Sequence, residues 1–314
     1  MTHFPVTALR SVAIGTPDLK ASERFYTEVW GLAVAARQDG AVYLRASGPD
    51  HHVLALHHRD HPEILSVTFR AGATEELGAL AARAVAHGAA LVSPPAANPE
   101  PDGGTVVEIR EPQGGVFRFV QGDRLHADAR EARDRPLRLA HVNLNSADVA
   151  AETAFYEQAL GFVLTDRSKI MAFLRCNSDH HAVVLAEAKA NGLNHIAFLV
   201  PDWESVMRTS GRLVDAGYPI AWGVGRHGPG DNVFAYFIDP VGFVVEFTAE
   251  VLQVDDGYRV RGPDEWVWPP GRTDHWGIAP PKAEHVKAAQ AAIVYRPAAS
   301  PPGAAEQDRN GRVP

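Results

Sequence analysis

The chain has 314 residues, 46% hydrophobic and 22% charged, with a formal net charge of −8 and 15 histidines. That length suits roughly two domains, and the ordinary composition excludes collagen-like, disulfide-stapled and wholly disordered classes. The acidic balance argues against a nucleic-acid partner. No apolar run reaches the roughly 18 residues of a membrane span, and no secretory signal opens the chain, so no membrane partner is expected.

In chain order, a short strand at 11–15 leads into Thr16-Pro17, read as an N-cap with proline at the first helical position. The helix runs to Gly31, placed as its C-terminal stop. Two or three β-rich stretches, a second helix over 75–87 and a hairpin over Glu111-Pro-Gln-Gly complete the unit. The stretch 121–135 is charged and poor in apolar residues, and reads as a linker. The same order then recurs: a strand at 141–145, a cap at Ser146, a helix to Gly161, β-rich stretches, a helix over 203–216 between Asp202 and Gly217, and a hairpin over Asp239-Pro-Val-Gly.

The recurrence is a duplication. Residues 9–32 align without a gap on 139–162, His51-His52 on His180-His181, 65–69 on 194–198, and Glu111 on Asp239. The expected class is α+β, with a curved mixed sheet in each unit. The division predicted is a domain over 1–122, a second over 136–250, a Trp/Pro-rich strap over 251–296 and a disordered tail over 297–314. Cys176, the lone cysteine, is read as an inert strand residue and points to a reducing cytoplasm. Trp266, Trp268 and Trp276 are read as packing and pocket lid, and His275 and His285 as solvated.

The copies differ chemically at three aligned positions. The second carries His141, His195 and Glu246 where the first carries Ser11, Ser66 and Arg118. A carboxylate within Phe243-Val-Val-Glu-Phe-Thr is costly to bury unless paired or metal-bound. Two imidazoles and one carboxylate on neighbouring strands form the 2-His-1-carboxylate set of non-haem iron oxygenases, with zinc as the chemical competitor. A single histidine in an apolar run is more often a core residue; three coincident differences favour a site confined to the second copy. Asn143 shares a strand face with His141.

The second hairpin gives a register. Pro240 forbids the primed turns, which leaves a type I turn with Gly242 left-handed and a bulge. Asp239 then opposes Phe243, and Tyr236 opposes Glu246 on the same face. The glycines around Gly225 match a dinucleotide fingerprint by letter only, because no helix follows.

From about Leu9 to Glu250 the chain resembles the type I extradiol catechol dioxygenases of the vicinal-oxygen-chelate superfamily. The residues that carry the resemblance are His141-x-Asn143, His181 before His195, and the run from Gly225 through His227 to Tyr236, Asp239 and Glu246. The resemblance implies tandem units of paired βαβββ modules, each an incomplete barrel, assembled as a homo-oligomer. It implies Fe(II), with Mn(II) possible, on His141, His195 and Glu246, and O₂ as co-substrate in cleaving the ring of a small aromatic diol or triol. His181 takes the acid–base role, with Tyr236, His227 and Asn143 holding substrate. The choice of His181 over His180 rests on family spacing. A glyoxalase-type lyase, isomerase or thiol transferase, and a metal-free binding protein, are the alternatives on the same fold.

Overall fold

The computed structural model of the chain describes residues 4–73, 75–127 and 134–296. The first repeat comprises β1 (Val6–Thr16), α1 (Leu19–Arg24), β2 (Ala33–Gln38), β3 (Ala41–Arg45), β4 (Leu54–His58), β5 (Glu63–Ala71), α2 (Leu77–Ala86), β6 (Ala90–Ala97), β7 (Thr105–Arg110) and β8 (Val116–Gln121). The second comprises β9 (Arg138–Ser146), α3 (Val149–Leu160), β10 (Val163–Arg167), β11 (Met171–Arg175), β12 (Val183–Glu187), β13 (Gly192–Leu199), α4 (Trp203–Asp215), β14 (Trp222–Arg226), β15 (Val233–Ile238) and β16 (Val244–Ala249). The strap holds elements that its composition hides, α5 (Glu284–Ala292) and β17 (Ile293–Val294). The tail predicted over 297–314 lies outside the described residues, as does 128–133 of the linker.

Each repeat folds as two βαβββ modules. The strand orders are β2-β3-β4-β1-β5-β8-β7-β6 and β10-β11-β12-β9-β13-β16-β15-β14. The central pairs β1/β5 and β9/β13 are antiparallel, and each central strand is flanked by a parallel neighbour from its own module. Neither sheet closes, so each is an open, α+β half-barrel.

Two local readings need correction. The first helix of each repeat is capped by Asp18 and Asp148, not by Thr16 and Ser146. Each aspartate accepts the backbone N–H three residues on, from Ala21 and Ala151, while the central strand runs on through Thr16 and Ser146. Cys176 is buried but lies one residue beyond β11. Part of the linker is docked: Asp123 pairs with Arg10 and Arg70.

Alternation along the strands gives each sheet two unlike faces. Val142, Leu144, Ile196, Phe198, Val245 and Phe247 point into one core shared by both repeats. Trp30, from the first repeat, stacks on Phe247 at 3.7 Å and meets Phe198 and Phe237 edge-on. Reciprocally, Tyr156 of α3 packs on Phe117, and Phe162 on Phe69. The first helical segment of each repeat is therefore packed between the sheets, and the opposite sheet faces point away from the core.

The crossing is not symmetric in its polar groups. Tyr26 donates to Asp239 at 3.0 Å. At the matching place, Tyr156 has no hydrogen-bond partner among the described residues, and nearby Glu152 is buried beside a cavity of about 230 Å³ that it shares with Glu111. Burial and the nearby Glu111 carboxylate push Glu152 up to about 8 from 4.5. A carboxyl raised in the folded state binds its proton more tightly there, so stability falls as pH climbs from 4.5 towards 8. Denaturant unfolding should show Glu152 costing on the order of a few kcal/mol across that window. Glu152→Gln should flatten the slope and exceed the wild type near pH ~9; an unchanged slope would refute the assignment.

Candidate metal centre

One row of paired residues builds the site. His141 on β9 opposes Ala197 on β13, Ala197 opposes Glu246 on β16, Glu246 opposes Tyr236 on β15, and Tyr236 opposes Trp222 on β14. His195 stands two residues before Ala197 and opposes Asn143. All therefore project from the outer face of the sheet, and Ala197, with only a methyl group, leaves the space between His141 and Glu246 open. The hairpin register has its expected cause: Gly242 is left-handed at φ 102°, and the Asp239 carboxylate accepts the N–H groups of Val241 and Phe243.

His141 Nε2, His195 Nε2 and Glu246 Oε2 lie 3.0–3.2 Å from one another, all buried. Burial lowers His195 to about 4, which keeps its ring neutral at pH 7. Its Nδ1 donates to Asn194 Oδ1 at 2.9 Å, so Nε2 bears a lone pair. Burial works against ionised Glu246, but the adjacent His141 and His195 hold it well below the carboxylate range. Among the described residues, neither Glu246 oxygen has a hydrogen-bond partner of good geometry. Two imidazole nitrogens and a carboxylate oxygen converging this closely in a buried face fit a divalent cation.

The residues around the triad are also ordered. Asn194 donates to Asn145 Oδ1 at 2.8 Å, and Asn145 to the Gln290 carbonyl of α5 at 2.6 Å, which fixes the His195 amide partner from the strap. His181 faces the cavity and His180 stands behind it. His180 Nε2 reaches Asp166 Oδ2 at 2.9 Å, and the two Nδ1 atoms are 3.0 Å apart. If His180 donates to Asp166, its Nδ1 accepts from His181, and His181 Nε2 is left as a base. Burial lowers His181 well below an ordinary histidine. Gly230 makes room for this ring: a Cβ there would come within 2.7 Å of His181 Cε1.

On the other side, His227 Nε2 lies 3.1 Å from the Tyr236 hydroxyl and its ring stacks on Phe234. Burial lowers His227 to about 3 and raises Tyr236 well above the usual phenol range. The triad opens into a cavity of about 310 Å³ that His181, His227, Tyr236 and Asn143 all line. Its far wall includes Ile170, Phe173, Trp266 and Trp268. Trp276 takes no part in that lid; it is exposed and lies under the Arg226 guanidinium. His275 and His285 are exposed, and His275 leans on Trp268.

Sequence reasoning missed Asp166, Asn145, Asn194 and Gln290, whose partners are set by folding. It also missed Lys282, whose ammonium enters the cavity, donates to Gln290 Oε1 at 2.8 Å and lies 4.3 Å from the Trp222 ring centroid. Burial lowers it to about 8.

The family model of the glyoxalase/bleomycin resistance protein/dioxygenase superfamily matches residues 8–119 and 138–247. The chain belongs to this superfamily. Among curated relatives, it is 29% identical to metapyrocatechase 2 of Cupriavidus necator over 85% of each chain. It is 24% identical to the manganese-dependent 2,3-dihydroxybiphenyl 1,2-dioxygenase of Geobacillus genomosp. 3, over 73% of this chain and 80% of that one. A solved structure described as the Mn(II)-bound glyoxalase from Novosphingobium aromaticivorans is 31% identical, with a TM-score of 0.85 over 96% of this chain and 97% of that one.

Within this superfamily fold, the first repeat fills the matching face differently. Arg118, aligned with Glu246, binds Glu100 and Asn98. Arg10 binds Asp102, Ser11 and His52. His52, Glu100 and Asp102 are close enough to ligate an ion, but two guanidinium groups already serve them. Among the described residues, no guanidinium group pairs with the triad of the second repeat. In metal titrations of the apoprotein, one Mn(II) should bind and raise the melting temperature, by about 2.7 kcal/mol of stability at a hundredfold excess over Kd. Glu246→Gln should abolish that shift while the apo-variant melts no lower than the wild-type apoprotein; an undiminished shift would exclude this site.

Proposed function

We propose that the protein is an extradiol dioxygenase of aromatic catabolism, using O₂ to cleave the ring of a substituted catechol or trihydroxylated monocyclic aromatic beside the diol. The observation that carries the reading is the open side of the His141/His195/Glu246 triad, which faces His181, Tyr236, His227 and Asn143 across a cavity walled by aromatic residues. The relatives named metapyrocatechase 2 and 2,3-dihydroxybiphenyl 1,2-dioxygenase support it. Three converging lone-pair atoms speak against a metal-free binding protein.

Iron(II), or manganese(II), held by His141, His195 and Glu246 would supply a template and electron path between diol and O₂. His181 Nε2 takes one diol proton and later returns it to the ring-opened product. Asp166, through His180, fixes the tautomer that this requires. His227 donates to the Tyr236 oxygen, which frees the phenol proton for a diol oxygen. Asn143, whose buried Oδ1 has no protein partner, completes the polar rim. Trp266 and Trp268 of the strap exclude water from the cavity.

The proposal includes a homo-oligomer in the cytoplasm. Exposed Trp203 and Met207 on α4 support association, and the single buried thiol suits a reducing compartment. The described helices include none long and apolar enough to cross a membrane.

A second reading, a metal-dependent glyoxalase-type enzyme, is favoured by the name of the 31%-identical structure. Anaerobic loading with Fe(II) or Mn(II), followed by oxygen-electrode traces with a panel of catechols and triols, separates the two. Stoichiometric O₂ uptake with a yellow ring-opened product is expected. No uptake by the fully loaded protein, with turnover of a glutathione hemithioacetal instead, would establish the second reading. His181→Asn should lower kcat by about 10²–10⁴ with metal content unchanged. Asp166→Asn should lower it by roughly tenfold, since it acts through His180.

A further inference from the structure

We propose that Lys282 makes the cavity selective for a diol that carries an anionic substituent, a carboxylate being the simplest. The inference rests on the dioxygenase reading of the same site and specifies its substrate class.

Lys282 enters the cavity from the strap, and its Nζ has one hydrogen-bond partner among the described residues, the neutral Gln290 Oε1. The Trp222 ring at 4.3 Å and the Tyr236 ring at 5.5 Å offer it π-faces. It forms no ion pair with a carboxylate of the described residues, unlike the arginines that fill the matching face of the first repeat. Placing an ammonium group in such a site costs solvation that neutral partners return only in part. The missing partner is an anion.

Charge complementarity says where that anion comes from. A divalent ion, the Glu246 carboxylate and a singly ionised diol sum to zero. Lys282 is then a surplus positive charge, which one further negative group on the ligand would neutralise. Lys169 also borders the cavity, but it is exposed at the mouth and meets its solvation needs in water.

Spacing agrees with a ring substituent. Trp222, beneath the ammonium, lies two strands beyond Glu246 in the row Glu246–Tyr236–Trp222. Two interstrand steps span roughly 10 Å. A single ring with a short carboxylated arm covers that distance when its diol faces the triad. The intervening walls are largely aromatic, and a low-dielectric path strengthens a pair formed across it.

Paired probes test this: catechols with a carboxylate or carboxymethyl group at ring carbon 3 or 4, each beside its methyl ester. Two readouts are used, anaerobic binding to the Mn(II)-loaded protein by calorimetry and steady-state O₂ uptake. Wild type should bind at least one acid about tenfold or more tightly than its ester. Lys282→Met should weaken the acid by about 10–100-fold and leave the ester within about twofold, with metal content unchanged; Lys282→Arg should keep part of the preference. Equal binding of every acid and its ester by wild type would overturn the inference. So would equal losses for acid and ester in Lys282→Met, because that pattern marks a residue that orients the diol or supports the fold. Cleavage of esters without preference for acids removes this inference alone. Absence of O₂ uptake with every probe removes the dioxygenase reading.

Discussion

Three potential ligand atoms, His141 Nε2, His195 Nε2 and Glu246 Oε2, are held within 3.2 Å of one another in a buried sheet face. This arrangement is poorly solvated, so much of the second repeat serves to impose it. The three strands come from distant parts of the chain and are locked side by side by the ladder. The small Ala197 leaves the floor open, the bulge before His195 presents Asn194 to its Nδ1, and the Asp239 hairpin fixes where Glu246 stands. A one-residue slip of β16 would turn Glu246 into the core and Val245 into the site.

The first repeat shows that the fold does not require a metal there. The same face is satisfied by Arg10 and Arg118 paired with Glu100, Asp102 and their neighbours. Guanidinium groups carry their own donors and suit carboxylates in a fixed geometry, so the cluster is neutralised within the protein. It leaves no open coordination position. In the second repeat the triad would leave the compensating positive charge to a bound ion, with one side free for ligands. Comparison of Arg118 with Glu246 is thus a comparison between a closed electrostatic solution and an open one.

This contrast explains what was legible in the sequence. The duplication, the strand positions of His141, His195 and Glu246, and the Tyr236–Glu246 register follow from local patterns: period two along a strand, and a turn whose proline and glycine allow one geometry. The choice between His180 and His181 was not legible, because their neighbours come from β10, the strap and the loop at Gly230. Lys282 was hidden for the same reason. It lies in Pro280-Pro281-Lys-Ala, a stretch with no periodicity and no counterpart in the first repeat, and only the packing of α5 brings it to Trp222. The helix caps slipped by two residues because the central strands continue through Thr16 and Ser146, where ladder pairing outweighed capping propensity.

A triad wholly within one repeat still depends on the other. Trp30 fills the core directly behind β16, stacked on Phe247, the residue next to Glu246. Tyr26, four residues earlier, donates its hydroxyl to the Asp239 carboxylate that caps the hairpin joining β15 to β16. Burial pushes Asp239 up to about 6, and the Val241 and Phe243 N–H groups and the Tyr26 hydroxyl oppose that rise. The first repeat therefore reaches the chemistry through two rigid contacts, one behind the carboxylate and one at the turn that sets its register. Separating the repeats would expose the face that holds Phe198, Phe237 and Phe247 and release the hairpin together. The repeat without a triad supplies half of the core against which the triad-bearing sheet is held.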